Sequence, residues 1–364
     1  MTTATPVSPS EAVLNEALSG LTAAPQKTLP PWLFYDELGS QLFEQITELP
    51  EYYLTRTERA LFAAHADDIL REFLSPGASA SSPTSWSFLS PDLFTIAELG
   101  AGTASKTGLL LQAATRLQPQ LLYQPIDVSS TALDTAAENL TATIPGLSVH
   151  AQIANYITEP YTLAHPSNTH NGSTSNGHTG NGFDPTSRSR ILALYIGSSI
   201  GNFSPQQANT ILRRLRSHLQ PGDALLLGAD LAPGSHKSVA TILSAYDDAA
   251  GVTAAFNLNI LTRLNRDLDA DFNLDAFAHR ARWNPADSRI EMHLESLTSQ
   301  TVQIPTESQP HRIPFAAGET IHTENSYKFT DAALETLLTR SGFTPTRTFH
   351  DPTRSFALTL AHTL

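Results

Sequence analysis

The sequence predicts an α/β protein: a Rossmann-like parallel sheet with helices on both faces, joined to a second domain of α+β type. Three observations predict it. Short apolar runs alternate with helix-spaced segments from about residue 93 to residue 228, the pattern of strand–helix–strand crossovers. The first run ends in the turn Glu98-Leu99-Gly100-Ala101-Gly102 and passes straight into a helix. The alternation then breaks over residues 236–328 and resumes at 331, as an inserted second domain requires.

Each element follows from local pattern. Residues 1–28 read as weakly helical, with Ala12, Val13, Leu14 and Leu18 apolar, and Leu29-Pro30-Pro31 breaks the chain. Residues 32–72 combine helix formers with aromatics, whereas 75–92 are rich in Ser, Pro and Gly and predict a loop. Strand one spans 93–99, and the next helix about 106–116. Strand two, 121–126, ends at Asp127, and a helix follows that buries Leu133, Ala136 and Leu140. A third strand is expected over 147–153. Residues 166–187 are low in complexity and predict a flexible surface insertion, because they offer little apolar surface to bury. Ile191–Ile196 is a continuous apolar run typical of a buried parallel strand. Ser204-Pro205-Gln206-Gln207 starts a helix, with serine as cap, proline in the first turn and glutamine closing a capping box. A strand over 224–228 places Asp230 just beyond its end. In the interrupting block, 239–250 and 255–268 read as helices, and 290–297 and 301–304 as strands. A helix over 331–341 and strands over 346–349 and 355–361 close the chain.

Composition narrows the function. The chain has 364 residues, 40% of them hydrophobic, which is enough for the cores of two domains. It has no cysteine, so thiolate metal sites, disulfides and cysteine nucleophiles are excluded. The net charge of −13 disfavours a nucleic-acid backbone as partner. No apolar run is long enough to span a bilayer, and Met1–Leu18 lacks the basic-then-apolar order of a signal peptide. A cytoplasmic protein with no membrane or nucleic-acid partner is expected. The 13 histidines are scattered without ligand spacing, so no metal is expected.

The glycine turn points to a nucleoside-containing cofactor on the end of a parallel sheet. A dinucleotide fingerprint would carry a third glycine, but that position is Ser105. An acidic residue ahead of Gly-x-Gly fits S-adenosylmethionine (SAM) better, since SAM has no pyrophosphate to seat. Asp127, at the end of strand two, stands where a ribose diol would be held. Three further stretches are polar and aromatic: 49–58, 245–253 and 315–328. Spacing alone makes none of them a site, because tyrosines at helix ends are commonly core residues with a solvated hydroxyl.

Taken with Leu29–Asp36 (LPPWLFYD), Gly39–Thr47, Leu49–Tyr53 (LPEYY), Gly197–Asn202 (GSSIGN), Tyr246–Thr253 (YDDAAGVT) and Ala270–Phe277 (ADFNLDAF), these motifs resemble one family. It is the L-histidine Nα-methyltransferases of ergothioneine biosynthesis, and the resemblance runs from about residue 17 to the C-terminus. It implies a SAM-binding methyltransferase domain over 63–235, completed by 329–364, and a substrate domain made from 1–62 and 236–328. It implies that Gly100 and Lys106 contact SAM, that Asp127 holds its ribose, and that Asn155 and Tyr156 frame the adenine. At the last pair the family usually carries Asp-Phe, and an asparagine can still donate to and accept from an adenine edge.

For the substrate, the resemblance carries over Tyr52, Gly197, Asn202, Tyr246, Glu324 and Ser326, with Tyr35, Phe43 and Met292 lining the same pocket. Tyr35 and Asn202 are the expected catalytic residues, the amine losing its proton to water past Tyr35. The implied activity is three methyl transfers from SAM to the α-nitrogen of L-histidine, giving hercynine, by a monomer needing no metal. Two alternatives stay open: the same chemistry on another aromatic amino acid such as tryptophan, and a SAM-binding regulatory protein without catalysis.

Overall fold

The computed structural model describes residues 9–76, 93–165, 189–306 and 309–363. The loop expected at 75–92 lies outside the described residues from 77 onward, and the insertion expected at 166–187 lies wholly outside them. The chain forms two compact units. The first comprises Met1–Arg56, Gly201–Ser204 and Asp230–Phe329, and the second Thr57–Ile200, Pro205–Ala229 and Thr330–Leu364.

The chain begins with α1 (Pro9–Leu21), the short strand β1 (Lys27–Thr28), a 3-10 turn (Pro31–Phe34) and α2 (Glu37–Glu48), followed by the long α3 (Tyr53–Leu74). Asp36 caps α2, its carboxylate accepting the Gly39 N–H at 2.8 Å. The sheet elements come next: β2 (Phe94–Leu99), α4 (Gly108–Leu117), β3 (Leu121–Asp127), α5 (Ser130–Thr143), β4 (Leu147–Val149), β5 (Gln152–Ile153), β6 (Arg190–Tyr195), α6 (Pro205–Ser217) and β7 (Ala224–Asp230). The interrupting block holds α7 (Val239–Tyr246), α8 (Val252–Leu268), β8 (Phe277–Asn284), β9 (Arg289–Ser296), β10 (Gln300–Ile304), β11 (His311–Phe315) and β12 (Thr320–Tyr327). Helix α9 (Asp331–Arg340) and strands β13 (Thr344–His350) and β14 (Phe356–His362) end it.

The large sheet has the order β13-β14-β7-β6-β2-β3-β4, with β5 beside β3. The pairs β2–β3, β2–β6, β3–β4 and β6–β7 are parallel, and β13–β14 is antiparallel. Every residue of β2, β7 and β14 is buried, so the sheet is covered on both faces, as the apolar runs predicted. The chain winds outward from β2 through β3 to β4, then returns to β6 on the other side of β2. The order therefore reverses between β2 and β6, where an open α/β sheet leaves a crevice for a ligand. The Rossmann-like architecture stands as read from the sequence.

The first unit carries a smaller sheet, β1-β12-β9-β8, in which β12–β9 and β9–β8 are antiparallel. Helix α8 lies on it with Phe256, Ile260, Leu261 and Leu264 buried. Here several expectations needed correction. The helix expected over 239–250 stops at Tyr246, because Asp248 turns to accept the N–H groups of Val252 and Thr253 and starts α8 there. The single strand expected over 147–153 is two short ones. Asp230 is the last residue of β7, not a residue beyond it. Strands β8, β11 and β12 were not foreseen.

Candidate active site

The cofactor-side residues expected from the sequence gather in the second unit, at the carboxyl ends of β2, β3 and β6. The Gly100 N–H closes the turn on the Ile126 carbonyl at 2.8 Å, joining the ends of β2 and β3. Gly100 has φ +68°, which glycine adopts without strain. A side chain there would meet the Tyr156 ring, whose Cε1 lies 3.5 Å from the position of a Cβ. Asp127 accepts the Gly102 N–H at 2.9 Å and the Ser129 N–H at 2.9 Å. Each carboxylate oxygen keeps a further lone pair for a ligand hydroxyl. Tyr156 pairs its hydroxyl with that of Tyr195 at 3.2 Å, and burial raises its pKa to about 12, so it stays a neutral phenol. The Asn155 side-chain oxygen accepts the Ile157 N–H at 3.0 Å, and its NH2 group can only donate.

Lys106 and Gly197 meet at a third residue. Glu58 of α3 is fully buried, accepts the Lys106 ammonium at 2.6 Å and takes the Gly197 N–H at 2.8 Å. Gly197 has φ +76°, and a Cβ there would stand 3.1 Å from Lys106 Nζ. Gly197, expected on the substrate side, thus lies in the same unit as the cofactor-side residues and against Lys106. Glu98, ahead of the turn, accepts hydrogen bonds from Thr107 at 2.7 Å and from the Tyr123 hydroxyl, tying β2 to β3 and to the start of α4. Burial raises the Glu98 pKa to about 7 despite these bonds.

The substrate-side residues gather in the first unit. Tyr35, Phe43, Tyr52 and Tyr246 form a run of edge-to-face rings with centroids 5.8, 6.4 and 6.2 Å apart. Phe256 of α8 packs against Tyr35 and Phe43. Tyr246 Oη and Ser326 Oγ are 2.7 Å apart. On the small sheet Glu324 pairs with Met292 and Ser326 with Ile290, so all four share one face. The strand β12 bulges between His322 and Glu324. The extra residue, Thr323, donates to Asn257 Oδ1 at 2.7 Å, and the bulge sets the face on which Glu324 stands. The same Asn257 amide donates to His279 Nδ1 at 2.8 Å, and His279 Nε2–H donates to the Tyr246 carbonyl at 2.8 Å. One buried asparagine therefore braces both Tyr246 and the Glu324 bulge. Burial lowers the His279 pKa, which keeps the ring neutral and in the tautomer these two bonds require. Asn202 ends a 3-10 turn (Ser199–Asn202) in the same unit.

No donor among the described residues reaches the Glu324 carboxylate. Burial holds its pKa up at about 7, with Lys328 pulling the other way. A carboxylate held this way offers strong acceptance to a ligand N–H and discriminates against ligands that lack one.

A family model described as "Histidine-specific methyltransferase, SAM-dependent" matches residues 13–363. The chain belongs to the histidine-specific, SAM-dependent methyltransferases. It is 39% identical to the histidine N-alpha-methyltransferase of Mycolicibacterium smegmatis, over 97% of this chain and 96% of that one. It is 35% identical to the protein of that name from Mycobacterium tuberculosis, over 96% and 94%. It is 31% identical to ergothioneine biosynthesis protein 1 of Neurospora crassa, over 66% of this chain and 23% of the longer protein.

In this histidine-specific methyltransferase the sequence reading missed Glu58, Asn257, Asp230 and Lys328. Glu58 fell within a stretch singled out for its polarity, but nothing in the pattern paired it with Lys106. The expectation of no metal also meets an unforeseen cluster. Glu291, His293 and His322 bring one candidate ligand atom each within 4.8 Å of one another. They lie on the sheet face opposite Glu324 and Met292. The Arg289 guanidinium stands 2.6 Å from Glu291, a fixed positive charge beside the set. Burial, the neighbouring imidazole of His322 and Arg282 hold the His293 pKa down at about 4.

No helix among the described residues is long and apolar enough to cross a membrane.

Proposed function

We propose that this protein methylates the α-amino nitrogen of L-histidine three times with SAM, giving hercynine for ergothioneine synthesis. The observation that carries the reading is Glu324. It is a carboxylate with a raised pKa and no donor among the described residues, on one face with Met292 and Ser326, in a chain of the histidine-specific family. Its natural complement is an imidazole N–H. The membership, the near-complete coverage of two histidine N-alpha-methyltransferases and the ergothioneine relative support the same reading.

SAM, when bound, supplies an electrophilic sulfonium methyl group. Each transfer forms one C–N bond, breaks one C–S bond and releases one proton, so three transfers convert the ammonium to a quaternary amine. The residues that fit SAM are Gly100, whose φ of +68° a side chain would strain, Asp127 with its spare lone pairs, Lys106, and the Asn155 amide. Tyr52, Asn202 and Tyr246 bind the amino-acid end of histidine by neutral hydrogen bonds. Glu324 and Ser326 hold the ring. The Tyr35, Phe43 and Tyr52 rings give the growing cation an aromatic wall. The amine proton leaves by water past Tyr35. The chief contribution of the protein is orientation, worth up to several kcal/mol of barrier when the reacting atoms are held in line.

Purified protein with SAM and histidine should yield mono-, di- and trimethylated histidine by mass spectrometry, with tryptophan as comparison. Turnover of tryptophan and none of histidine would overturn the substrate. Asp127→Ala should weaken SAM binding about 10- to 100-fold by calorimetry, since a charge-assisted bond is worth about 1.5–3 kcal/mol. Unchanged SAM affinity would remove Asp127 from the ribose site.

A further inference from the structure

Behind Tyr246 and Ser326 lies a buried ionic cluster that the roles above do not use. Asp230, at the end of β7, has no solvent exposure. It accepts the ammonium of Lys237 at 2.7 Å, the ammonium of Lys328 at 2.8 Å and the hydroxyl of Tyr53 at 2.8 Å. Two ammonium groups thus share this carboxylate. Lys328 is buried, and besides Asp230 it donates to Tyr246 Oη at 2.9 Å and Ser326 Oγ at 2.9 Å. An ammonium has three protons, and all three are given.

We propose that Lys328, held by Asp230, is a positioning residue of the histidine pocket that orders the Tyr246 and Ser326 hydroxyls into a pair with a single outward-pointing proton. The inference rests on the histidine reading of that pocket. The count of protons carries it. Tyr246 Oη and Ser326 Oγ each accept one N–H from Lys328 and stand 2.7 Å from each other. Of the two hydroxyl protons, one lies between the oxygens. The oxygen that receives it has both lone pairs filled, so its own proton must point away from the trio, toward the ligand. The other oxygen keeps one lone pair. The pair therefore presents one directed donor and one acceptor instead of two free rotors. This preorganisation is the kind that strengthens binding without adding a contact.

The cluster does not serve as an exit for the amine proton. Lys328 has no lone pair to accept one while protonated, and Asp230 is sealed from solvent. What it adds is charge. The Lys328 ammonium opposes the effect of burial on Glu324, favouring the ionised carboxylate. The charged and titratable groups bearing on Glu324 are Lys328, just past the end of its strand, and Tyr246 of α7, with Asp230, Lys237 and Tyr53 behind Lys328.

The test compares wild type with Lys328→Met and with Lys328→Gln, which keeps a donor but no charge. Each is assayed for SAM affinity, for histidine KM and kcat, and for the pH dependence of that KM. Lys328→Met is expected to raise the histidine KM more than about tenfold while SAM affinity stays within about twofold, and to move the acid-side loss of histidine affinity upward by about one pH unit. Lys328→Gln should show the same pH displacement with a smaller rise in KM, and it answers the question if the methionine variant does not fold. Ser326→Ala should cost less in the Lys328→Met background than in wild type, because the hydroxyl it removes is no longer ordered. A purely structural lysine would change stability but not the pH profile or this coupling. Variants that bind SAM normally and match wild type in histidine KM and its pH profile overturn the proposal alone. A wild type that binds SAM but no histidine overturns both the proposal and the reading beneath it.

Discussion

Replacing Glu324 by alanine is expected to raise the histidine KM about 100-fold while leaving SAM affinity within about twofold, since a hydrogen bond to a charged acceptor in a buried site is worth about 1.5–3 kcal/mol. The reason lies in what the folded protein leaves unmade. The Glu324 carboxylate has no donor among the described residues, and burial holds its pKa at about 7 against an ordinary 4.5. The sign of the pH effect follows. The folded state keeps this proton up to about pH 7, and the unfolded state loses it near 4.5. The stability linked to the carboxyl is therefore fully present below 4.5 and is lost as pH rises to 7. Above that, the unliganded protein carries a cost of about 3 kcal/mol for the buried charge. Glu324→Gln removes the charge and keeps the shape. Its melting temperature should exceed that of wild type by several degrees at pH 8, and the gap should close as pH falls toward 5. Histidine should stabilise wild type and not the variant at equal concentration. Scanning calorimetry over pH 5–8.5 with and without histidine measures both. A Glu324→Gln protein no more stable than wild type at pH 8, yet normal in histidine affinity, would sink the assignment.

The arrangement behind this expectation was only partly legible in the sequence. The central sheet was readable because parallel strands buried on both faces leave continuous apolar runs, as in Ile191–Ile196, and because Pro205 and Gly342 mark where helices begin and end. The small mixed sheet was not. β8 reads Phe-Ala-His-Arg-Ala-Arg-Trp-Asn and β12 reads Thr-Ile-His-Thr-Glu-Asn-Ser-Tyr, so polar groups stand on both faces. In β12 the bulge at Thr323 also breaks the two-residue period at the position that matters, just ahead of Glu324. The individual pocket residues came from a family resemblance, since spacing alone could not separate Tyr52 or Tyr246 from ordinary core tyrosines. The buried polar pairs within each unit were invisible for a different reason. Lys106 and Glu58 are 48 positions apart, and Tyr53 and Asp230 are 177 apart. Polar residues so distant show no local pattern, and only the fold reveals that they are partners.

Glu58→Gln, a change of one atom, should weaken SAM binding at least about 30-fold, the equivalent of roughly 2 kcal/mol. The carboxylate takes Gly197 N–H on one oxygen and Lys106 Nζ on the other, at 2.8 and 2.6 Å. Both partners are donors. A glutamine accepts at only one of the two positions and turns an NH2 group toward the other donor, so either Gly197 or Lys106 must move. Glu58→Ala leaves both without an acceptor and should destabilise the protein by about 2–3 kcal/mol, below the figure for a fully buried pair because Lys106 is 22% exposed. The same clamp explains a glycine outside the residues assigned to SAM. A Cβ at Gly228 would stand 2.3 Å from Glu58 Oε1 and 3.1 Å from the Ile196 Cα. Gly228→Ala should therefore displace Glu58 and lower SAM affinity without touching a ligand-facing group. Calorimetric titration of each variant with SAM, on protein whose circular dichroism matches wild type, decides the matter. If Glu58→Gln and Gly228→Ala both bind SAM as wild type does, the SAM role proposed for Lys106 does not depend on Glu58.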